Sequence, residues 1–203
     1  MLHYATVDPS TLELLKNLQA LPELKELRLV GGTSLALQIG HRKSVDLDLF
    51  GKMSLEADEL TELIQPLGNI TILKNSRNIH VFTINGIKAD IVNYTYPWLN
   101  DAIFDGGLQL ADQRDICAMK LAAVTGRGTR KDFIDIYFLL RSFSMETMFN
   151  FYMQKYTDAS SFMVVKSLTY FEDAENEPEP YMFEPVNWNL IKAEIRKQAS
   201  RLI

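Results

Sequence analysis

Two aspartates, Asp46 and Asp48, have the residue type and the spacing of a metal-binding catalytic pair. Residues 45–50 alternate strictly, with Val45 and two leucines on one side and the acids on the other, which predicts a half-buried strand. Residues two apart on a strand share a face, roughly 6.5–7 Å apart at Cα. Two carboxylates held in this way can share hard cations such as Mg²⁺ or Mn²⁺ and can support displacement at a phosphate. A polar strand face turned to solvent is the alternative interpretation.

Four small residues, Gly31-Gly32-Thr33-Ser34, lie where a short apolar strand is predicted to turn into a helix that ends at Gly40. Glycine lets a phosphate approach the backbone closely, and the first turn of a helix offers free N–H groups and the positive end of its dipole. The Thr and Ser hydroxyls can donate further hydrogen bonds. The segment is therefore a candidate phosphate site, although a tight turn with a helix cap uses the same residue types.

A third acid, Asp90, lies in the apolar stretch 87–93, which alternation predicts to be a strand with Lys88 on the same face as Asp90. The preceding Asn85-Gly86 pair predicts a tight hairpin, because a type I′ turn needs positive φ at both positions. If this strand lies beside the one that carries the paired aspartates, all three carboxylates fall within a few strand spacings of about 4.8 Å. An acid on the surface of an edge strand is the alternative.

Basic side chains in the second half are candidates for binding a phosphate or RNA. Lys120 is the one charged residue in the apolar stretch 116–124, so its ammonium must reach solvent or meet an anion. A bound triphosphate and a buried salt bridge both remain open for it. Arg127, Arg130 and Lys131 cluster at the start of the next predicted helix, where they form either a phosphate patch or an ordinary solvated face.

The elements that must position these residues divide into an α/β half and a helical half. We predict an α/β (α+β) fold in which residues 1–100 form a mixed β-sheet flanked by helices. Residues 101–203 are expected to form a helical region packed on that core as one compact unit, with the acidic segment 172–185 as a solvated connection. The predicted strands are 27–30, 45–50, 70–74, 79–84 and 87–93. One predicted helix opens at Pro9-Ser10, a short one contains residues 35–39, and the others span 54–65, 111–125, 130–142, 145–156, 158–171 and 187–200.

Composition argues against several classes of protein. The 203 residues carry a formal net charge of −5, which argues against a protein that coats nucleic acid nonspecifically but leaves room for a local RNA site. A single cysteine, Cys117, permits no intrachain disulfide. The N-terminus has no signal-peptide pattern, and no apolar run reaches the ~20 residues of a membrane span. We therefore expect a cytoplasmic protein that is not attached to a membrane.

Taken together, the motifs resemble the signature of the DNA polymerase β-like nucleotidyltransferase superfamily: Gly-Gly-Thr-Ser, then Asp-x-Asp, then an acid on a later strand. The stretch from Gly31 to Phe50 is close to the form found in the AbiEii/AbiGii toxin family, the toxin half of type IV toxin–antitoxin pairs linked to abortive infection. The segments Asp115–Lys120 and Arg127–Asp135 are similar to two downstream motifs of that family. The resemblance extends over about residues 25–175.

This resemblance implies a metal-dependent enzyme that transfers a nucleotidyl group from an NTP to an acceptor hydroxyl and releases pyrophosphate. The acceptor it implies is RNA, in particular the 3′ end of tRNA, and the partner it implies is an antitoxin encoded nearby that need not touch the toxin. A small-molecule or protein acceptor, or a nucleotide-binding module without turnover, are the alternatives. Asp46, Asp48 and Asp90 would hold the metal and act in catalysis. The residues that the resemblance places around the nucleotide are Gly31, Gly32, Thr33, Ser34, Arg42, Lys120, Arg130, Lys131 and Asp132.

Overall fold

The computed structural model describes residues 1–202, which group into two compact units. Unit 1 comprises residues 1–95 and 102–111, and unit 2 comprises residues 96–101 and the chain from Asp112 onward. The expected start of a helical region at residue 101 is therefore displaced, because residues 103–110 form strands of the unit 1 sheet. No helix among the described residues is long and apolar enough to cross a membrane.

Unit 1 is built on a mixed sheet of seven strands in the order β3-β4-β5-β2-β1-β7-β6. The pairs β2–β5 and β1–β7 are parallel, and the other four pairs are antiparallel. The last two strands escape the alternation analysis because each has only three residues. The strands are β1 (Arg28–Leu29), β2 (Leu47–Gly51), β3 (Ile70–Asn75), β4 (Ile79–Ile84), β5 (Ile87–Asn93), β6 (Ile103–Asp105) and β7 (Leu108–Leu110), and the helices of this unit are α1 (Pro9–Gln19), α2 (Gly31–Ile39) and α3 (Ala57–Ile64).

One face of the central strands belongs to the hydrophobic core, and the other carries the acids. Leu47 and Leu49 of β2 are fully buried, and they lie beside buried residues of β5. The predicted alternation is confirmed from Leu47 onward, but Val45 does not share the apolar face. The strand begins only at Leu47, and Val45 lies before it with 49% of its surface exposed. Asp46 likewise precedes the strand.

The hairpin predicted at Asn85-Gly86 is confirmed. Both residues have positive φ, +51° for Asn85 and +81° for Gly86, and they join β4 to β5 with Ile84 opposite Ile87. Asparagine and glycine are the residues that adopt this conformation at least cost. The hairpin places β5 between β4 and β2, so that Asp90 lies inside the sheet and not at its edge.

Unit 2 is helical, as predicted, but the acidic segment 172–185 is more ordered than a solvated connection. It contains a short helix, and Glu184 makes a two-pronged ion pair with Arg141 at 2.6 and 2.7 Å. Glu177 contacts Arg130. The helices of this unit are α4 (Gln113–Gly126), α5 (Arg130–Leu139), α6 (Met145–Lys155), α7 (Ser161–Ser167), α8 (Glu172–Glu175) and α9 (Trp188–Ala199).

A fully buried ion pair fastens residues 96–101 to the helices of unit 2. The Lys155 ammonium lies 2.7 Å from the Asp115 carboxylate, donates to the Pro97 carbonyl oxygen at 2.7 Å and lies over the Trp98 ring. The other contacts of Asp115 are backbone N–H groups of the same segment, including that of Leu99 at 3.0 Å. Buried charges are tolerated when they are paired and hydrogen-bonded in this way.

Candidate active site

Asp48 and Asp90 are direct neighbours in the sheet. They are Cα partners in the parallel pairing of β2 with β5, which places their side chains on the same face about 4.8 Å apart along the sheet. Both residues are half-buried. The adjacency of these two strands, on which the grouping of the acids depended, is thus present in the structure.

Asp46 is held close to the same corner by its backbone. The Thr33 hydroxyl donates to the Asp46 carbonyl oxygen and is hydrogen-bonded to the Ser44 hydroxyl at 2.9 Å. Thr33 is buried, so its side chain ties the start of α2 to the segment that leads into β2. Among residues 1–202 no three Asp, Glu, His or Cys side chains are arranged as a metal-binding group. The register places Asp48 beside Asp90, Asp46 directly precedes β2, and the grouping of all three carboxylates around one metal stays a prediction.

Gly31 and Gly32 form a corner that side chains fill from two directions. Gly31 has φ of +68°, and a Cβ on it would overlap Oδ2 of Asp48. A Cβ on Gly32 would overlap the Arg42 guanidinium, which is itself buried. Glycine is favoured at Gly31 because of its positive φ, whereas a Cβ on Gly32 would displace the end of the Arg42 side chain. The predicted corner thus brings Gly31 to Asp48 and Gly32 to Arg42.

Ser34 lies one turn into α2 and is completely buried. Its hydroxyl oxygen accepts a hydrogen bond from the Gln38 side chain at 3.1 Å, and the same Gln38 amide donates to the Ala111 carbonyl oxygen at 2.9 Å. The structure thus gives Ser34 a protein partner, and the predicted contact with a phosphate stays a prediction.

Lys88 lies within the acidic face. Its ammonium is 2.6 Å from Oδ1 of Asp90, and the two side chains are 40% and 22% exposed. Residues two apart on a strand share a face, so alternation had placed Lys88 beside Asp90 but not in contact with it. Carboxylate oxygens are the ligands that Mg²⁺ and Mn²⁺ prefer, so the Asp48–Asp90 pair fits such a cation, with Lys88 as a competing cation at one of the oxygens.

In unit 2, Lys120 is part of a buried ion-pair network. Its ammonium lies 2.9 Å from Oδ1 of Asp132 and 2.6 Å from Oδ2 of Asp135, and all three side chains are at most 9% exposed. Burial raises the pKa of the Asp132 carboxyl, but Lys120, hydrogen bonds from Thr129 and the Arg127 guanidinium together hold that pKa below its usual value. Of the two interpretations left open for Lys120, the buried salt bridge is present, and its contact with a triphosphate stays a prediction.

Arg130 and Lys131 differ in their surroundings although they are adjacent at the start of α5. The Arg130 guanidinium donates to the Glu177 carbonyl oxygen at 2.6 Å, its backbone N–H donates to the Glu177 carboxylate at 2.7 Å, and its guanidinium lies over the Trp188 ring. Lys131 is exposed. Arg130 is therefore bound to Glu177 of the acidic segment, whereas the neighbouring Lys131 faces solvent.

Comparison with known proteins gives these motifs a family. The model of the nucleotidyl transferase AbiEii toxin family, type IV toxin–antitoxin system, matches residues 13–105, which include strands β1 to β6 and the acidic face. Protein aq_aa25 of Aquifex aeolicus (strain VF5) is 33% identical over 182 residues, which cover 85% of this chain and 88% of that protein. The chain belongs to the AbiEii nucleotidyltransferase toxin family. It is therefore a nucleotidyltransferase.

Solved structures share the fold of this AbiEii-family chain at low sequence identity. MenT4, a nucleotidyltransferase toxin from Mycobacterium tuberculosis H37Rv, matches with a TM-score of 0.62 at 15% identity, over 95% of this chain and 80% of that one. JHP933 from Helicobacter pylori matches with a TM-score of 0.56 at 17% identity, over 97% of this chain and 93% of that one. The predicted nucleotidyltransferase fold with a mixed sheet is confirmed.

Two side chains that contact predicted nucleotide-binding residues, Gln38 in unit 1 and Glu177 in unit 2, were not selected from the sequence. Gln38 and Ser34 are four residues apart on a helix, a spacing from which their side-chain hydrogen bond could have been predicted. The contact of Glu177 with Arg130 joins residues 47 apart, for which the sequence carries no local signal.

Proposed function

We propose that this chain transfers a nucleotidyl group from an NTP to a hydroxyl of an RNA acceptor, in a reaction that depends on Mg²⁺ or Mn²⁺. The observation that carries the proposal is the register of Asp48 against Asp90, directly beside the Gly31 corner. Paired carboxylates next to a glycine-lined helix N-terminus suit the binding of a cation and a phosphate chain. The chemistry is a substitution at the α-phosphorus, in which an O–P bond to the acceptor forms as the bond to pyrophosphate breaks.

The three aspartates would have different roles. Asp46, Asp48 and Asp90 would hold the cation together. Asp90 lies on the neighbouring strand and would also take the proton of the acceptor hydroxyl. A bound Mg²⁺ or Mn²⁺ would neutralise charge that develops on the phosphate oxygens. Because that charge rises during the reaction, fixed positive groups close to it accelerate transfer.

The nucleotide would lie along the corner that Gly31, Gly32, Thr33 and Ser34 form. Its β- and γ-phosphates would accept hydrogen bonds from N–H groups of the first turn of α2. The guanidinium of Arg42 lies against Gly32 and would add positive charge behind that turn. We also assign the downstream motif residues to the nucleotide: Lys120, Arg130, Lys131 and Asp132.

RNA is the acceptor we propose, with the 3′ end of tRNA as the first candidate, because the family consists of toxins and loss of a working tRNA end would arrest growth. Exposed cations at Arg127 and Lys131 support a phosphate-bearing acceptor despite the negative net charge. The type IV family further implies an antitoxin, which we expect to counteract the toxin without direct contact. We expect both proteins to act in the cytoplasm.

The test is transfer of label from each of the four α-³²P NTPs to total host RNA in the presence of Mg²⁺. The variants are Asp48→Asn, which keeps the side-chain shape but removes the charge, and Asp58→Asn on the exposed surface of α3 as its matched control. We expect label on a discrete RNA with the wild type and Asp58→Asn, and loss of at least 100-fold with Asp48→Asn, roughly the effect of losing about 3 kcal/mol of transition-state stabilisation. Wild type that binds NTP but labels only a protein or small molecule would refute the RNA acceptor. Equal labelling by Asp48→Asn would refute the site.

A further inference from the structure

The acidic face carries an aromatic side chain one step beyond the carboxylates. Along β2 the side chains of Leu47 and Leu49 are buried, whereas Asp48 and Phe50 point to the opposite face and are half-buried. Phe50 therefore shares a face with Asp48, with Cα atoms roughly 6.5–7 Å apart. The Phe50 ring therefore keeps apolar surface accessible to solvent beside charged groups, and it does not belong to the buried hydrophobic core.

Tyr94 fixes the ring of Phe50. The two ring centroids are 5.3 Å apart with planes inclined at 45°, and the Tyr94 backbone N–H donates to the Gly51 carbonyl oxygen at 2.8 Å. Tyr94 is only 8% exposed, so it forms the buried support, and Phe50 is the member of the pair that keeps accessible surface. A rigid aromatic surface can stack a planar ring with little loss of side-chain entropy.

Arg28 adds a cation on the same face. It lies directly opposite Phe50 in the antiparallel pairing of β1 with β2 and is half-buried. Opposite residues of an antiparallel pair point to the same side with Cβ atoms about 5 Å apart. An aromatic ring beside a guanidinium is the combination that binds a base and the neighbouring phosphate of a single strand.

The order of groups along β2 matches the order of groups in a nucleotide. Gly31 packs on Asp48 at one end, the carboxylate pair follows, and the Phe50 ring lies at the far end. A nucleotide likewise runs from phosphates through a sugar to a base. We propose that Phe50, supported by Tyr94, is a stacking surface for a nucleobase, with Arg28 beside it for a phosphate. This inference rests on the proposed function and extends it, because it makes recognition of a base a property of the site.

The base can come from the NTP or from the 3′ end of the RNA acceptor, and two binding measurements separate these sources. One compares a non-reactive NTP analogue with ribose 5′-triphosphate, which lacks the base. The other compares a short single-stranded RNA with the same RNA lacking its 3′-terminal base. Each is measured with wild type, Phe50→Leu, Phe50→Tyr and Phe104→Leu. The last is the matched control, because Phe104 is a 74% exposed ring on β6, three strands away in the same sheet.

We expect the wild type to bind the base-bearing ligand roughly 5- to 100-fold more tightly in at least one comparison. Phe50→Leu should lose most of that preference, whereas Phe50→Tyr and Phe104→Leu should keep it. The comparison in which the preference disappears identifies the source of the base. A wild-type protein with no preference in either comparison would overturn the proposal even if Phe50→Leu does not fold, and so would a Phe50→Leu protein that keeps the wild-type preference.

The labelling assay distinguishes this inference from the proposed function. If wild type labels RNA and Asp48→Asn does not, but no base preference depends on Phe50, the proposed function stands and the stacking surface is refuted. If the base preference depends on Phe50 while no RNA is labelled, the stacking surface stands and the acceptor is wrong.

Discussion

Replacement of Lys120 by methionine is the perturbation whose outcome the structure defines best. Methionine has a similar unbranched length but no charge, so Lys120→Met removes the ammonium from between two buried carboxylates with little change of volume. Asp132 retains the Thr129 hydroxyl at 2.6 Å and the Arg127 guanidinium at 3.7 Å. Asp135, with a side chain 0% exposed, loses an ammonium at 2.6 Å. The cost therefore falls on both carboxylates, of which Asp135 is the more deeply buried.

Removal of one partner of a buried ion pair costs about 3–5 kcal/mol, because the remaining charge is left without compensation. A domain of this size is stable by about 5–15 kcal/mol in total, so the variant should lose roughly a fifth of its stability or more. Neutralising Asp135, which no longer faces the ammonium, should return part of that loss. We therefore expect Lys120→Met/Asp135→Asn to be more stable than Lys120→Met by at least about 1 kcal/mol.

Equilibrium urea unfolding followed by circular dichroism gives the free energies of unfolding for these variants. Lys131→Met is the matched control: it removes the same functional group from an exposed site on the adjacent helix, and it should change stability by less than about 0.5 kcal/mol. Both variants are also assayed for transfer, since a lysine that contacts the nucleotide lowers activity whether or not it contributes to stability. A loss below about 1 kcal/mol in Lys120→Met would refute the reasoning.

The cost of Lys120→Met should also depend on pH. The pKa of Asp132 is lower in the folded protein than in the unfolded chain. Its contribution is therefore fully present above the unfolded pKa of about 3.9 and is lost as the pH falls from there through the folded pKa. Protonated acids need no cation, so the difference between wild type and Lys120→Met should be smaller at about pH 3 than at pH 7, with the decrease in the Asp132 contribution beginning at about pH 3.9. An unchanged difference would show that packing, and not charge, determines the loss.

Three further predictions concern single residues. Gly31→Ala should abolish transfer and lower the free energy of unfolding more than Gly107→Ala does, because both glycines have positive φ but only Gly31 packs on Asp48. Urea unfolding and the labelling assay measure these effects, and equal losses of stability in the two variants would contradict the prediction. Lys88→Met should bind Mn²⁺ several-fold more tightly in an EPR titration, because the ammonium 2.6 Å from its carboxylate partner no longer repels the ion, and unchanged affinity would contradict this. Burial raises the pKa of the Cys117 thiol, so a disulfide reagent should react with it only after the protein unfolds, and rapid reaction of the native protein would contradict this.

The local parts of the site were predictable from the sequence because they depend on short-range geometry. Alternation fixed which side of each strand Asp48 and Asp90 occupy, and the Asn85-Gly86 turn fixed how β4 meets β5. The order of the strands did not follow from the residues alone. The grouping of the acids was predicted only on the condition that their two strands are neighbours, and the register of Asp48 against Asp90 meets that condition.

The parts that could not be predicted involve partners far apart in sequence or elements too short to show a period. Strands β6 and β7 have three residues each, too few for alternation to be distinguished from chance. The ion pairs of Lys155 with Asp115 and of Glu184 with Arg141 join residues 40 and 43 apart. Charge alone did not indicate which acid each base would select.

The way residues 96–101 are fastened has a consequence for how the chain can form during synthesis. This segment belongs to unit 2 although it is made before strands β6 and β7 of unit 1, so the polypeptide leaves unit 1, returns and leaves again. Its ammonium partner, Lys155, emerges from the ribosome more than fifty residues later. Neither unit can therefore be completed from a continuous stretch of nascent chain. A ribosome stalled before Lys155 would carry a protein whose sheet is fully translated but whose residues 96–101 still lack the Lys155 contact.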